Sequence, residues 1–191
     1  MKKTLFLILT LVVSVCFCSC SSKMSNDEVM NIAKPLIEES LELEAVLYGT
    51  GLEVGEEKYG KYSKVSSEQY LCTQDIKDAL ADVYTAELCD IIKNSALKGS
   101  TSEYGNTYAR YLDVDGVLYM YDEAKVYFVY PRRYDFASIE TQSSTDKRII
   151  FTVDTYTAGE DGAYSETPEN IEIKLIYDEA YAGWRLDSPT Y

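Results

Sequence analysis

The chain has 191 residues, a formal net charge of −14 at neutral pH and no histidine. This length suits one domain and is sufficient to bury a hydrophobic core. The absence of histidine excludes Ser-His-Asp and Cys-His catalysis, imidazole metal ligands and a histidine general base. The acidity favours basic partners or partners bridged by divalent cations. Because the lysines and arginines do not form a basic stripe along the sequence, nucleic acid is not expected as a partner.

The first residues predict export. Lys2 and Lys3 precede an apolar run over 4–17, which is shorter than the ~20 residues needed to span a bilayer. The following Phe17-Cys18-Ser19-Cys20 resembles a bacterial lipobox, in which a small residue precedes a cysteine that is diacylated. We therefore expect a signal peptide at 1–19, lipidation of Cys20, an anchor linker at 20–26 and attachment to the extracellular face of the cell membrane. Ordinary secretion with cleavage nearby is the alternative.

The first half of the chain has helical periodicity. Ser25 and Glu28 form the pattern of a capping box, and Gly49 and Gly51 are expected to end the helix that it begins. Pro35 should kink or restart this helix, because proline lacks the N–H that the preceding turn needs. Apolar residues recur at helical spacing, and the acidic residues between them are expected to face mostly outward. These acidic residues are Glu38, Glu39, Glu42 and Glu44.

Between the two predicted helices, residues 49–60 are rich in glycine and glutamate and are expected to form an acidic loop, followed by a short strand at 61–66. A second continuous helix is predicted over 75–93, with Thr73 as its N-cap. Cys72 and Cys89 would then lie about 25 Å apart, too far for a disulfide, whose Cα atoms lie within about 7 Å. Unless the helix breaks, both are expected to be buried free thiols.

From Tyr108 onward the period changes to two. Asp115-Gly116 predicts a two-residue hairpin turn. Further strands are expected at about 125–130, 136–141, 148–156, 170–177 and 183–187. Helices followed by strands predict an α+β fold, with two N-terminal helices packed on one face of an antiparallel meander. The whole of 27–191 is interpreted as a single domain.

No motif for a metal or a cofactor is present, and neither is expected. The segment Asp113-Val-Asp115-Gly116 resembles the start of a calcium loop, but its twelfth position is Ala124 rather than a glutamate, and the hairpin explains it. Many carboxylate pairs are possible for a glycosidase, and nothing in the sequence favours one of them. Eight of the eighteen tyrosines lie between Tyr104 and Tyr134. Strand and core packing is the favoured interpretation, and an aromatic surface for glycan or protein is the alternative.

Several blocks carry a resemblance to a known family: Val46-Leu47-Tyr48-Gly49, Val83-Tyr84-Thr85-Ala86-Glu87-Leu88, the hairpin that begins Tyr108-Ala-Arg-Tyr, and the terminal Gly183-Trp184-Arg185-Leu186-Asp187. Over residues 27–191 the chain resembles the DL-endopeptidase inhibitor family of Gram-positive cell walls. The resemblance implies an exported, non-enzymatic α+β domain that blocks the active-site cleft of an NlpC/P60-type peptidoglycan hydrolase with an acidic surface. The terminal block also resembles NTF2-like and cystatin-like ligand-binding modules, which are the alternative.

No inhibitory residue of that family can be assigned to a position, so the contact surface is predicted from charge and loop location. Acidic residues occur in three predicted loops, where they could meet a basic cleft, and the alternative is that they are solvated loop charges. They are Glu53, Glu56 and Glu57 after the first helix, Asp113 and Asp115 at the hairpin, and Glu160 and Asp161 in the long connection.

Overall fold

The computed structural model describes residues 23–98, 100–101, 107–124, 126, 131–159 and 161–190. The predicted signal peptide, the predicted lipidation site at Cys20 and nearly all of the predicted strand at 125–130 lie outside these residues. Within the described part of the chain, no helix is both long enough and apolar enough to cross a membrane.

Helix α1 spans Asn26–Leu47 and begins with the predicted capping box. The Ser25 hydroxyl accepts from the Glu28 N–H at 3.3 Å, and the Glu28 carboxylate accepts from the Ser25 N–H at 2.8 Å. Pro35 does not restart the helix, which is one element of 22 residues. Pro35 and Asn31, whose carbonyl loses its helical partner, are both exposed, so water can satisfy that carbonyl.

The predicted second helix is divided, which corrects the expectation of one helix over 75–93. Helix α2 spans Thr73–Val83, α3 spans Ala86–Ile92, and a π-helical turn covers Lys93–Leu97. The break occurs because Tyr84 forms a parallel bridge with Leu186 and the Thr85 N–H donates to the Leu186 carbonyl at 3.0 Å. The N-cap is Cys72 rather than Thr73, and the Asp75 carboxylate accepts from the Cys72 N–H at 3.0 Å.

Cys72 and Cys89 are both free, although the helix between them breaks. Cys89 is buried, and its thiol donates to the Leu80 carbonyl at 3.2 Å. Cys72 is only partly buried, so the expectation of a buried thiol holds for Cys89 alone.

The described residues also form ten strands. They are β1 Val54–Tyr59, β2 Tyr62–Val65, β3 Ser100–Thr101, β4 Thr107–Tyr108, β5 Tyr111–Val114, β6 Val117–Tyr121, β7 Arg132–Ser144, β8 Arg148–Thr157, β9 Glu169–Asp178 and β10 Gly183–Leu186. The α+β class is confirmed. The prediction of one sheet is wrong, because the strands form a first sheet of order β1-β2-β6-β5, a second of order β10-β9-β8-β7, and a ribbon of β3 and β4.

The hairpin and the later strands agree with the sequence pattern. Asp115 and Gly116 have φ of 50° and 80° and connect β5 to β6, as an Asp-Gly turn predicts. The strands predicted at 136–141, 148–156, 170–177 and 183–187 correspond to β7 through β10. The predicted acidic loop at 49–60 is corrected, because β1 lies within it and pairs with β2.

The hydrophobic core lies between the helices and the strands. Helix α1 contacts β7 and β10, while α2 contacts β10 and β5. One cluster of buried side chains includes residues from the helices and from both four-stranded sheets. Its largest fully buried members include Ile37, Leu80, Phe151, Ile173 and Leu186.

Two buried arginines bind the C-terminal ends of helices. Arg110 donates from Nε to the Val46 carbonyl at 3.0 Å and from Nη2 to the Gly49 carbonyl at 2.5 Å. The Tyr111 hydroxyl donates to the same Val46 carbonyl at 2.7 Å. Arg185 donates from Nε to the Ala81 carbonyl near the end of α2 at 2.7 Å. These side chains satisfy carbonyls that have no partner within their helices.

We expect Arg110→Ala to lower the free energy of unfolding by about 2–4 kcal/mol, because the Gly49 carbonyl loses the Arg110 donor and the Val46 carbonyl retains only the Tyr111 hydroxyl. Urea denaturation followed by circular dichroism measures this loss. Arg148→Ala, at an exposed position of β8, is the control and should change stability by less than about 0.5 kcal/mol. Equal losses in the two variants would contradict the role given to Arg110.

Glu44 corrects another expectation, because it is buried rather than turned outward. It lies seven residues after buried Ile37 and three before buried Leu47, on the same face of α1. Burial raises the pKa of Glu44 to about 7, although the charge of Arg132 partly opposes this rise. The folded chain therefore carries a carboxyl group that is costly to ionise.

This burial predicts a pH dependence of stability. Since the pKa of Glu44 is higher in the folded than in the unfolded state, its ionisation opposes folding, and the cost is absent below pH 4.5. Between that pH and about 7 the free energy of unfolding should fall, by about 3 kcal/mol in total. Glu44→Gln should remove this fall, while Glu42→Gln, at an exposed position of α1, should retain it. Urea titrations measure the free energy of unfolding of the three proteins at each pH. If it falls equally with pH in all three, the fall does not come from Glu44.

Candidate functional site

The first group of predicted contact residues lies on an edge strand. Strand β1 has β2 as its partner in the first sheet, and all six of its residues are exposed. Glu56 and Glu57 belong to this strand rather than to a loop, and Glu53 immediately precedes it. Glu57 accepts from the Lys64 ammonium at 2.8 Å and from the Tyr119 hydroxyl at 3.2 Å. The bond from Lys64 lowers the pKa of Glu57, which stays ionised at neutral pH.

The hairpin supplies two further predicted residues, with different local roles. The Asp113 carboxylate accepts from the Thr73 N–H at 2.8 Å and from the Thr73 hydroxyl at 2.5 Å. It therefore satisfies a donor in the first turn of α2. Asp115 is exposed at the tip of the turn. A structural role accounts for Asp113, while Asp115 carries its charge into solvent.

These two groups lie at one end of the first sheet. The Ser66 N–H donates to the Glu53 carbonyl at 2.8 Å, which holds Glu53 beside the end of β2. Lys64 on β2 pairs with Tyr119 on β6, so the hairpin tip lies at the same end. Two strand spacings separate β1 from β6, about 10 Å. We call Glu53, Glu56, Glu57, Asp113 and Asp115 the acidic end of the first sheet.

The third predicted group lies elsewhere. Asp161 belongs to the connection between β8 and β9 of the second sheet, and its carboxylate accepts from the Ala163 N–H at 3.0 Å. This is a local turn interaction typical of aspartate. Glu160 lies outside the described residues. The structure therefore brings together two of the three predicted acidic segments.

A recess that the sequence did not reveal lies at the same end of the first sheet, and no acidic side chain lines it. Its volume is about 290 Å³, and its wall includes Lys64, Tyr70 and Gly116 together with several apolar side chains. The apolar members are Val65, Leu71, Val117 and Leu118. Leu71 is 61% exposed. The acidic end thus combines negative charge with an apolar centre.

Several tyrosines of the first sheet, unlike Tyr111, pack against one another in a cluster separate from the main core. Tyr62, Tyr119 and Tyr121 form a small buried cluster, with Tyr108 packed against it. The rings of Tyr108 and Tyr121 stack at 4.7 Å. Packing accounts for these rings, because a surface for ligand binding requires accessible ring faces. Tyr59, on β1, is 52% exposed and lies 5.8 Å from Tyr119.

Among the described residues, no group of three or more aspartate, glutamate or cysteine side chains is arranged to hold a metal ion. Comparison with models of known protein families finds no match. Comparison with curated protein sequences finds no significant match either.

The role of Asp113 can be separated from that of its acidic neighbours. We expect Asp113→Ala to lower the free energy of unfolding by about 1–2 kcal/mol, because the first turn of α2 loses its acceptor. Glu56→Ala, at an exposed position of β1, should change it by less than about 0.5 kcal/mol. Thermal and urea unfolding measure both. A neutral Asp113→Ala would show that the bonds to Thr73 do not support the helix.

Proposed function

We propose that this chain is an exported, lipid-anchored and non-catalytic domain that inhibits a peptidoglycan DL-endopeptidase of the NlpC/P60 type by blocking its active-site cleft. The observation that carries the proposal is the acidic end of the first sheet, where exposed carboxylates and a largely apolar recess occur at the same end. Its partners are a hydrolase with a basic cleft and, through lipid on Cys20, the membrane.

Charge supports this proposal. The chain carries −14, and loss of residues 1–19 with Lys2 and Lys3 changes this to −16. Opposite charge accelerates the encounter of two proteins and selects among partners. A lipid anchor at Cys20 would hold the inhibitor in the inner zone of the wall, near the enzymes that it restrains.

The form of the acidic end also supports a protein partner. Protein interfaces usually combine an apolar centre with a polar rim. Here Leu71 and Val117 lie at the recess, while Glu53, Glu56 and Asp115 are exposed at the same end of the sheet. The backbone of β1 lies at an exposed edge, where an extended segment of a partner can form main-chain hydrogen bonds.

An extracellular ligand-binding module of the NTF2-like or cystatin-like kind is the second candidate. It is favoured by the contacts of α1 and α2 with the antiparallel meander β7–β10, whose last strand contains Trp184. In this alternative a small ligand raises thermal stability without any effect on a hydrolase.

The inhibition assay uses purified residues 21–191, an NlpC/P60-type enzyme and peptidoglycan. The triple variant Glu53→Lys, Glu56→Lys and Asp115→Lys should weaken inhibition by about tenfold or more, because it reverses the charge that faces the cleft. The difference from the parent should shrink at high salt. A control of equal charge change is Glu140→Lys, Asp146→Lys and Glu166→Lys, all at exposed positions of the second sheet and its loops. Equal inhibition by the parent and both variants at low salt would rule out the acidic end.

Glu160 and Asp161 form a separate test, since Asp161 lies on the second sheet rather than at the acidic end. If their reversal to lysine alone abolishes inhibition, the contact lies at the β8–β9 connection.

Lipid anchorage is tested with Cys20→Ala in the full-length chain. Two acyl chains make membrane binding stable rather than reversible. The parent should therefore enter the detergent phase on Triton X-114 partitioning, while the variant should remain in the aqueous phase. Cys72→Ala is the matched control and should partition like the parent. Recovery of parent and Cys20→Ala proteins in the same phase would exclude a lipid on Cys20.

A further inference from the structure

A second cavity lies away from the acidic end, between the C-terminal half of α1 and the first residues of β7. Its volume is about 330 Å³, and it is lined by Leu41, Glu44, Ala45, Gly49, Pro131 and Arg132. This size is at the lower end of the range for small-molecule sites, which are mostly apolar with a few polar groups.

Glu44 is the unusual residue of this cavity. It is 7% exposed, and its Oε1 has no hydrogen-bond partner among the residues that the structure describes. A buried acceptor without a donor costs stability, and more so when it is charged. Because the terminal torsion of a glutamate side chain is broad, this oxygen can turn toward an occupant of the cavity at small cost.

Arg132 provides the opposite charge in the same wall. Its guanidinium lies 3.4 Å from the carboxylate of Glu169, which is itself mostly exposed. Such a surface pair is weak. Among the described residues, Arg132 and Glu44 form no ion pair with each other within 4.0 Å. The cavity therefore has one acid and one guanidinium in an otherwise apolar wall.

We infer that this cavity binds a small zwitterion of the amino-acid type. Its ammonium lies against Glu44 and its carboxylate on Arg132. A short aliphatic side chain contacts Leu41, Ala45 and Pro131.

The pair of opposite charges selects this class of ligand. A ligand with only a cationic group would place it in the field of Arg132, and one with only an anionic group would face Glu44. A zwitterion pairs both charges at once, and the small volume excludes long chains. The free amino acid is therefore favoured over an amine or a carboxylate of the same shape.

The test is isothermal titration calorimetry on the full-length chain in detergent, with L-alanine, L-valine and L-leucine as probes. At least one should bind with a Kd below about 1 mM. Two analogues of valine each lack one charge: isobutylamine has no carboxylate and isovalerate has no ammonium. Each should bind at least about tenfold more weakly than valine.

Variants then assign the contacts. Glu44→Gln and Arg132→Gln should each weaken binding by about tenfold or more, while Glu169→Gln, which removes only the exposed partner of Arg132, should change it by less than about threefold. Ala45→Leu fills the cavity from an exposed position of α1 and should abolish binding without unfolding the chain.

Three results would overturn the inference. The first is that none of the three amino acids binds at about 10 mM. The second is that isobutylamine or isovalerate binds as tightly as valine. The third is that Ala45→Leu, with an unchanged circular dichroism spectrum, binds as tightly as the parent.

Discussion

The buried end of α1 constrains the arrangement of the whole chain. The last carbonyl groups of a helix have no partners within it. Here the Val46 carbonyl of α1 and the Gly49 carbonyl just beyond the helix accept from Arg110 and Tyr111, some sixty positions later. These donors stand at the beginning of β5, so the same bonds that complete the helix also attach the first sheet to it. Arg185 of β10 does the equivalent for α2 through the Ala81 carbonyl. Each four-stranded sheet, or the residue that leads into it, therefore supplies one buried guanidinium to one helix end, and losing either arginine removes a bond that links a sheet to a helix.

The elements that the sequence predicts correctly are those whose signal is local. The capping box of Ser25 and Glu28 and the turn of Asp115 and Gly116 each depend on a few adjacent residues. The elements that it misses depend on distant contacts. The apolar stripe continues from α2 into α3, and only the bridge between Tyr84 and Leu186 reveals the break. Strand β1 lacks the alternation of a half-buried strand because all of its residues are exposed, so its composition resembles that of a loop.

The candidate sites differ in the same way. Charge counts along the sequence identify acidic segments, but they do not distinguish Asp113, which binds Thr73, from Asp115, which faces solvent. Charge counts also do not indicate that the acidic segment at β1 and the acidic hairpin lie on one sheet. That proximity follows from the pairing of β2 with both β1 and β6. The burial of Glu44 had a signal in its spacing from Ile37 and Leu47. We nevertheless predict an outward-facing Glu44 from the sequence, because glutamates on an amphipathic helix usually face water.

The end of α1 also supports both candidate sites without being part of the acidic one. Glu44 and Gly49 line the cavity beside β7, while the Val46 and Gly49 carbonyls hold Arg110 of the segment that leads into β5. Gly49 is placed so closely that a Cβ on it would lie 2.8 Å from the Ala45 carbonyl oxygen. Any residue with a side chain at position 49 would therefore have to shift its own backbone or that of Ala45. The two sites share this support and no ligand-contacting residue, so substitutions at Ala45 act on the cavity and substitutions at Asp115 act on the acidic end. Because the residues of the two proposed sites are separate, the hydrolase and the small zwitterion that we propose as ligands would not compete for the same side chains.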